Sequence, residues 1–212
     1  MSFIRQGGFE SANPAAPAQY ATAKPMRRKC LAYAAFVVVG CAVVIASLSA
    51  APGPAGLFGA GLGLLMGAVA VLDARSFLIP DKLTLSAFAL GLANAANESY
   101  GRIPEDIGLA AARGVLVGLA FYLLRAVYYR LRHRHGIGLG DVKLAAAAGA
   151  WLDWTLIPTA IEGAALAALA VYAVSRLWLG RPFDAAAKLP FGLFFAPAIW
   201  ASWLLAAILP RS

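Results

Sequence analysis

Residues 55–72, AGLFGAGLGLLMGAVAVL, form an uninterrupted run without a charged side chain, and an aspartate, Asp73, follows directly. A helix that crosses a bilayer needs about 20 mostly apolar residues, because it must satisfy its backbone polar groups internally in hydrocarbon. The run therefore predicts a membrane-spanning helix with an acidic group at its end.

Similar apolar runs recur along the 212-residue chain, which is 61% hydrophobic and 13% charged. A soluble domain of this size would lack enough polar groups to cover its surface. The sequence therefore predicts an all-α, polytopic membrane bundle of six or seven transmembrane helices. The predicted spans are residues 31–50, 55–72, 83–96, 107–129, 142–152, 156–179 and 189–209, of which the third and fifth are short.

Basic residues cluster in alternate loops, and short loops rich in Lys and Arg stay on the cytosolic side of a membrane. With the N-terminus inside, fifteen of the 18 Lys and Arg residues lie on the inner side. The net charge of +8 is therefore interpreted as a topology signal, not as a nucleic-acid footprint. We expect a multi-pass protein with a cytosolic N-terminus that contacts lipid and binds no nucleic acid.

Residues 1–29 lack apolar periodicity and end in the basic cluster 24–29, which predicts a flexible cytosolic tail at the membrane surface. Residues 30–210 are expected to form one membrane-embedded domain. Alternatively, the first span could be a signal sequence that is removed, with residues 27–29 as its charged region. Its apolar run of about 20 residues is long for a signal core, which usually has about 7–15, and this favours a retained span.

Two aspartates stand at the predicted inner ends of membrane helices. Asp73 directly follows the second predicted span. Asp141 directly precedes the fifth predicted span and follows the glycine-rich segment 136–140, GIGLG. An acidic group at the edge of an apolar helix is costly to desolvate and is often functional. A location among lipid headgroups beside Arg75 explains Asp73 equally well when its position is considered alone.

A pair of carboxyl groups at this level of the membrane would have a specific chemistry. Two carboxylates held close together cannot both ionise easily, so one keeps its proton near neutral pH. In aspartic proteases the ionised member takes a proton from the attacking water, while the protonated member binds the peptide carbonyl oxygen and later supplies a proton to the leaving amine. Sequence spacing alone does not bring residues 73 and 141 together.

Three short elements resemble, in order, the motifs of the type IV prepilin peptidase family. Asp73 with Ile79 and Pro80 resembles its D-x5-I-P element, residues 138–143 resemble GxGD-x-K, and residues 189–192, LPFG, resemble the PFG element. The similarity extends over roughly residues 55–205. Each element alone is a weak signal, whereas the three together in this order are specific.

The resemblance implies an intramembrane aspartic endopeptidase of the bacterial inner membrane, with a cytosol-facing site and no metal or cofactor. Its substrate would be a prepilin or pilin-like membrane protein, from which Asp73 and Asp141 cut the leader. The remaining motif residues are expected to bind substrate or shape the site; they are Ile79, Pro80, Gly138, Gly140, Lys143, Pro190, Phe191 and Gly192.

Long members of that family carry an N-terminal cytosolic region with paired CxxC motifs and an N-methyltransferase activity. This sequence has no such motif, so the resemblance implies the short, peptidase-only kind found with Flp/Tad pili, in preference to a bifunctional enzyme. A further departure is Leu193, which follows the PFG element where proline is often found. The alternative from another class is a non-catalytic scaffold or transporter, in which both aspartates serve packing or ion coupling.

Candidate metal ligands are few. Cys30 and Cys41 form no CxxC pair, and His133 and His135 lie among arginines without acidic or cysteine partners nearby. Structural zinc sites need a closed set of four such ligands at short spacings. No metal site is expected.

Two further predictions concern charged side chains and their partners. Lys143 could favour ionisation of a nearby carboxylate, or it could extend its ammonium group to the membrane interface. Arg113 and Glu162 lie at similar predicted depths inside their spans. Charged groups inside a membrane usually find partners, which predicts that these two side chains pair.

Overall fold

The computed structural model describes residues 23–99, 102–133, 136–179 and 190–209, with side chains throughout except at residues 23–32, 176 and 178–179. Every regular element in these ranges is an α-helix, which confirms the predicted all-α class. The helices are α1 (Ala23–Ala50), α2 (Pro54–Ser76), α3 (Asp81–Glu98), α4 (Ile103–Arg132), α5 (Leu139–Trp151), α6 (Leu156–Leu179) and α7 (Phe191–Ile208).

The described helices correspond one to one with the predicted spans, but they differ in their ability to cross a bilayer. Among the described residues, α1, α2, α4, α6 and α7 are long and apolar enough to do so. Helix α5 has 13 residues, or about 20 Å, which is less than the roughly 30 Å of hydrocarbon in a bilayer. The chain is therefore a multi-pass helical membrane protein.

The chain forms two units, Met1–Val39 and Gly40–Ser212, with the boundary inside α1. In the first unit, the described part is the helical segment that begins at Ala23. Residues 1–22 lie outside the described residues, as does His135. The flexible tail and the retention of the first span therefore stay predictions.

Helix α5 is the buried element of the second unit, and it packs against α3, α4 and α7. Nearly all of its residues from Leu144 onward are buried. Most of them are alanine or glycine, and small side chains allow neighbouring helices to approach closely. A Cβ atom on Gly149 would lie 2.8 Å from the Cα atom of Gly114, so the backbones of α4 and α5 touch.

Helices α2 and α7 pack against each other through glycines on one and tryptophans on the other. A Cβ atom on Gly59 would lie 1.8 Å from the ring of Trp203, and one on Gly63 would lie 2.7 Å from Nε1 of Trp200. The early residues of α2 thus meet the late residues of α7. This antiparallel packing brings the end of α2, with Asp73, to the start of α7.

Candidate active site

Asp73 lies in the last turn of α2 and is buried, with 5% of its surface exposed. The helix ends three residues later, where Phe77 adopts a left-handed backbone conformation with φ of 54° and donates its N–H to the carbonyl oxygen of Asp73 at 2.9 Å. Such a cap turns the chain away from the helix axis. The short segment that follows runs back beside Asp73 and leads into α3.

The carboxyl group of Asp73 lies at the N-terminus of α7. Its Oδ2 atom accepts a hydrogen bond from the backbone N–H of Leu193 at 2.9 Å, and the amide of Gly192 hydrogen-bonds to the same carboxyl group. The first N–H groups of a helix have no partner within it, and the helix dipole favours a negative charge there. Helix α7 therefore holds the Asp73 side chain in place.

Asp141 lies in the first turn of α5, outside the five apolar helices that can cross a bilayer. Its Oδ2 atom accepts a hydrogen bond from the backbone N–H of Gly138 at 3.3 Å. Burial raises the pKa of the Asp141 carboxyl from 3.8 to about 6, the bond from Gly138 lowers this pKa, and the charge of Asp73 raises it. The two aspartates are thus close enough to influence each other electrostatically.

Ile79, in the first of the three motif elements, contacts one glycine from each of the other two. A Cβ atom on Gly140 would lie 2.9 Å from the Cβ atom of Ile79, and one on Gly192 would lie 2.8 Å from its Cδ1 atom. The isoleucine therefore packs against the glycine before Asp141 and against the glycine at the start of α7. A Cβ atom at either glycine would force a neighbouring side chain to shift, which gives a physical reason for the glycines in these elements.

The other motif residues lie within three positions of Ile79, Gly140 or Gly192 in the sequence. Pro80 precedes α3 and Pro190 precedes α7, each in an extended conformation at the helix N-cap. The ring of Phe191 stacks on Phe195 with 5.3 Å between ring centroids. Lys143 does not contact the aspartate pair, because its ammonium group forms an ion pair with Asp81 at the start of α3. Neither predicted role of Lys143 includes this partner.

The predicted pair of Arg113 and Glu162 is wrong. Arg113 donates from Nη1 to the carboxylate of Asp153 at 3.0 Å and from Nε to the carbonyl oxygen of Gly149 at 2.7 Å. Glu162 is exposed on α6. The reason for the error is that equal depth in two spans does not make their helices neighbours. Helix α4 packs closely on α5, so Arg113 finds its partners at the end of that helix.

The backbone amide of Leu193 is a contact that the sequence reasoning missed. The only sequence signal at this position is the absence of the proline that is often found there in the family that the sequence resembles. Proline has no N–H and could not donate the bond that Leu193 makes to Asp73. Within the described ranges, no group of three or more His, Cys, Asp or Glu side chains could hold a metal ion.

Comparison with known proteins identifies the group to which these elements belong. The sequence profile of the type IV leader peptidase family matches residues 60–174, which is more than half of the chain. The chain belongs to this family. Leader peptidase HopD of Salmonella typhimurium is 34% identical over 143 residues, covering 67% of this chain and 86% of that protein.

Other relatives in the leader peptidase family are longer. The prepilin leader peptidase/N-methyltransferase of Burkholderia pseudomallei (strain K96243) is 36% identical over 148 residues, covering 68% of this chain and 45% of that protein. A protein of the same name from Pectobacterium carotovorum is 34% identical over 128 residues, covering 59% and 43%. The chain spans about half the length of these relatives. No solved structure matches it significantly.

Proposed function

We propose that this protein is an intramembrane aspartic endopeptidase that removes the leader peptide from prepilin-like membrane proteins. The observation that supports the proposal best is that Asp73, at the N-terminus of α7, lies close enough to Asp141 for its charge to act on the Asp141 carboxyl, although the two residues are far apart in the sequence. Membership of the type IV leader peptidase family supports the same activity, as do the names of the relatives.

In the proposed reaction the two aspartates share one proton. The ionised carboxylate accepts a proton from a water molecule as the water oxygen bonds to the peptide carbonyl carbon, and the protonated carboxyl donates its proton to the carbonyl oxygen. The C–N bond then breaks as a proton passes from the pair to the leaving nitrogen. One hydroxyl group of the intermediate returns its proton, so the pair regains its initial state.

Several contacts support this use of the pair. The raised pKa of Asp141 favours retention of one proton at pH values where isolated aspartates are ionised. The hydrogen bonds from Leu193 and Gly138 would fix the two carboxyl groups before substrate binds, which reduces the reorganisation needed in the transition state. Ile79 would shape one wall of the site through its contacts with Gly140 and Gly192.

The proposed location of the site is the cytosolic face of the bacterial inner membrane. The distribution of Lys and Arg favours an inner N-terminus, which would place the end of α2 and the start of α5 inside. A pilin-like substrate with a basic leader and an apolar helix suits this arrangement. Its helix could lie beside the spans while the cleavage point reaches the aspartates at the membrane boundary.

Replacement of each aspartate by asparagine tests the proposal. The variants Asp73→Asn and Asp141→Asn would be co-expressed with a pilin-like substrate, and leader removal would be followed by gel mobility. Each variant should abolish processing. The matched control is Asp106→Asn, because Asp106 lies in the first turn of α4, at the end of that helix remote from Asp141. Normal processing by either aspartate variant would refute the proposal and favour a scaffold or transporter.

A further inference from the structure

The ion pair between Asp81 and Lys143 joins the starts of two helices beside the candidate active site. Asp81 is the first residue of α3, and Lys143 lies two residues after Asp141 on α5. Both side chains are well exposed, Asp81 at 75% and Lys143 at 42%. Such a pair contributes little to folding, because water screens the attraction and ordering two side chains costs entropy. Any larger contribution must come from its location.

The ion pair lies next to the contact between Ile79 and Gly140. Ile79 is two residues before Asp81 in the sequence. Gly140 is three residues before Lys143, and Asp141 lies between them. A Cβ atom on Gly140 would lie 2.9 Å from the Cβ atom of Ile79, so the two chain segments are in contact there. Residues 79–81 therefore hold the start of α5 at two points, one apolar and one charged, on either side of Asp141.

The first turn of α5, which carries Asp141, is held less firmly by packing than the rest of the helix. Leu139 is 50% exposed, whereas Leu144 is fully buried, as are nearly all the residues that follow it. The N–H of Val142 donates to the carbonyl oxygen of Gly138 at 3.4 Å, which is longer than an ordinary hydrogen bond. A helix end with few buried contacts opens locally at a low free-energy cost. Opening of this turn would displace the Asp141 carboxyl.

The segment that holds this turn also contacts the surroundings of Asp73. A Cβ atom on Gly192 would lie 2.8 Å from Cδ1 of Ile79 and 2.8 Å from Oδ2 of Asp73. Asp73 itself is held by the start of α7, through the N–H of Leu193. The spacing of the two aspartates therefore depends on how firmly the first turn of α5 stays against residues 79–81.

We propose that Asp81 is a positioning residue of the candidate active site: its ion pair with Lys143 keeps the first turn of α5 closed and thereby keeps Asp141 beside Asp73. The effect on catalysis rests on the proposed peptidase function, whereas the closing of the turn does not depend on it. An exposed ion pair shifts such an equilibrium by up to about fivefold. Loss of the pair should therefore slow the reaction without abolishing it, unlike replacement of either aspartate.

Cleavage kinetics of a pilin-like substrate with the purified full chain test the effect on catalysis. Asp81→Asn and Lys143→Met should each lower kcat by about twofold to fivefold and leave KM unchanged, because the lost contact positions a catalytic group and binds no substrate. The double variant should lose no more than either single variant, since both changes break the same pair. Lys143→Arg, which keeps a cation within reach of Asp81, should retain a kcat close to that of the natural protein.

The matched control is Lys82→Met, the same substitution at the lysine next to Asp81. Lys82 is exposed in the first turn of α3, and it forms no ion pair with any residue that the structure describes. This variant removes one positive charge from the same end of the molecule and should keep the normal kcat. A loss equal to that of Lys143→Met would overturn the proposal, because it would show an effect of charge alone.

Hydrogen exchange of the backbone amides measures the opening of the turn without relying on activity. In Asp81→Asn the amides of the first turn of α5, such as Val142, should exchange faster by up to about fivefold, while those from Leu144 onward should not change. If the natural protein cleaves no pilin-like substrate but exchange changes in this way, the proposed function is refuted and the closing of the turn is supported. Unchanged exchange, a loss confined to KM, or additive losses in the double variant would overturn the positioning role.

Discussion

The substitution Gly192→Ala is expected to damage the aspartate site more than the fold. The new Cβ atom would lie 2.8 Å from Oδ2 of Asp73, which is 0.6 Å closer than the 3.4 Å at which ordinary contact begins. It would also lie 2.8 Å from Cδ1 of Ile79. A shift of the Asp73 carboxyl by this amount would stretch its 2.9 Å bond from Leu193 to about 3.5 Å, beyond good hydrogen-bond geometry.

The expected cost in folding is small because two effects oppose each other. Overpacking typically costs about 1–3 kcal/mol, and alanine is favoured over glycine within a helix by up to about 1 kcal/mol. The cost in catalysis is larger, since a misplacement near 1 Å can reduce a rate by about a hundredfold. We therefore expect leader cleavage to slow by about tenfold to a hundredfold while the unfolding temperature changes by only a few degrees.

A time course of leader removal by purified enzyme in detergent, with the unfolding temperature measured alongside, would test this expectation. The matched control is Gly67→Ala on α2, where an added Cβ atom has no neighbour within 4 Å. That variant should cleave at the normal rate and be at least as stable as the natural protein. A folded Gly192→Ala enzyme that cleaves at the normal rate would refute the claim that α7 positions Asp73.

Three further predictions concern separate parts of the molecule. Stability of the natural protein should fall as pH rises from about 3.8 to about 6, because the folded state keeps the Asp141 proton longer, and Asp141→Asn should reduce this slope in the unfolding temperature. Leu193→Pro should slow cleavage by removing the N–H bonded to Asp73, whereas Leu193→Ala, which keeps it, should not; equal rates would refute that bond's importance. Arg113→Met should cost about 2 kcal/mol of unfolding free energy through two lost hydrogen bonds. Lys143→Met breaks an ion pair with an exposed carboxylate and should cost less than about 1 kcal/mol of unfolding free energy. Denaturant titration of both variants would measure these costs, and a larger loss for Lys143→Met than for Arg113→Met would contradict the contacts described.

Much of the fold follows from local sequence. Apolar runs such as residues 55–72 must form helices in hydrocarbon, since no other local structure satisfies their backbone groups. For this reason each predicted span corresponds to a described helix. The positions of Asp73 and Asp141 at helix ends follow from the same runs, and the order of the three short elements indicated the family that the comparisons show.

Contacts between distant helices could not be derived in this way. The predicted partner of Arg113 is wrong because depth within a span does not determine which helix lies beside it. The amide of Leu193 gave no side-chain signal, since any residue except proline provides one. The ion pair between Asp81 and Lys143 depends on how α3 and α5 fit together, and neither segment alone encodes it.

The sequence by itself determined a helical membrane protein, the positions of its helices and the acidic residues at their ends. The tertiary structure alone decided that Asp73 lies at the start of α7, close enough to Asp141 for its charge to act on that carboxyl, and that Ile79 packs between two glycines. The physical reason is that a lipid-embedded helix forms from its own residues, whereas the register between two helices depends on the fit of both surfaces. Here that fit is between glycines on α2 and tryptophans on α7, and between the small residues of α4 and α5.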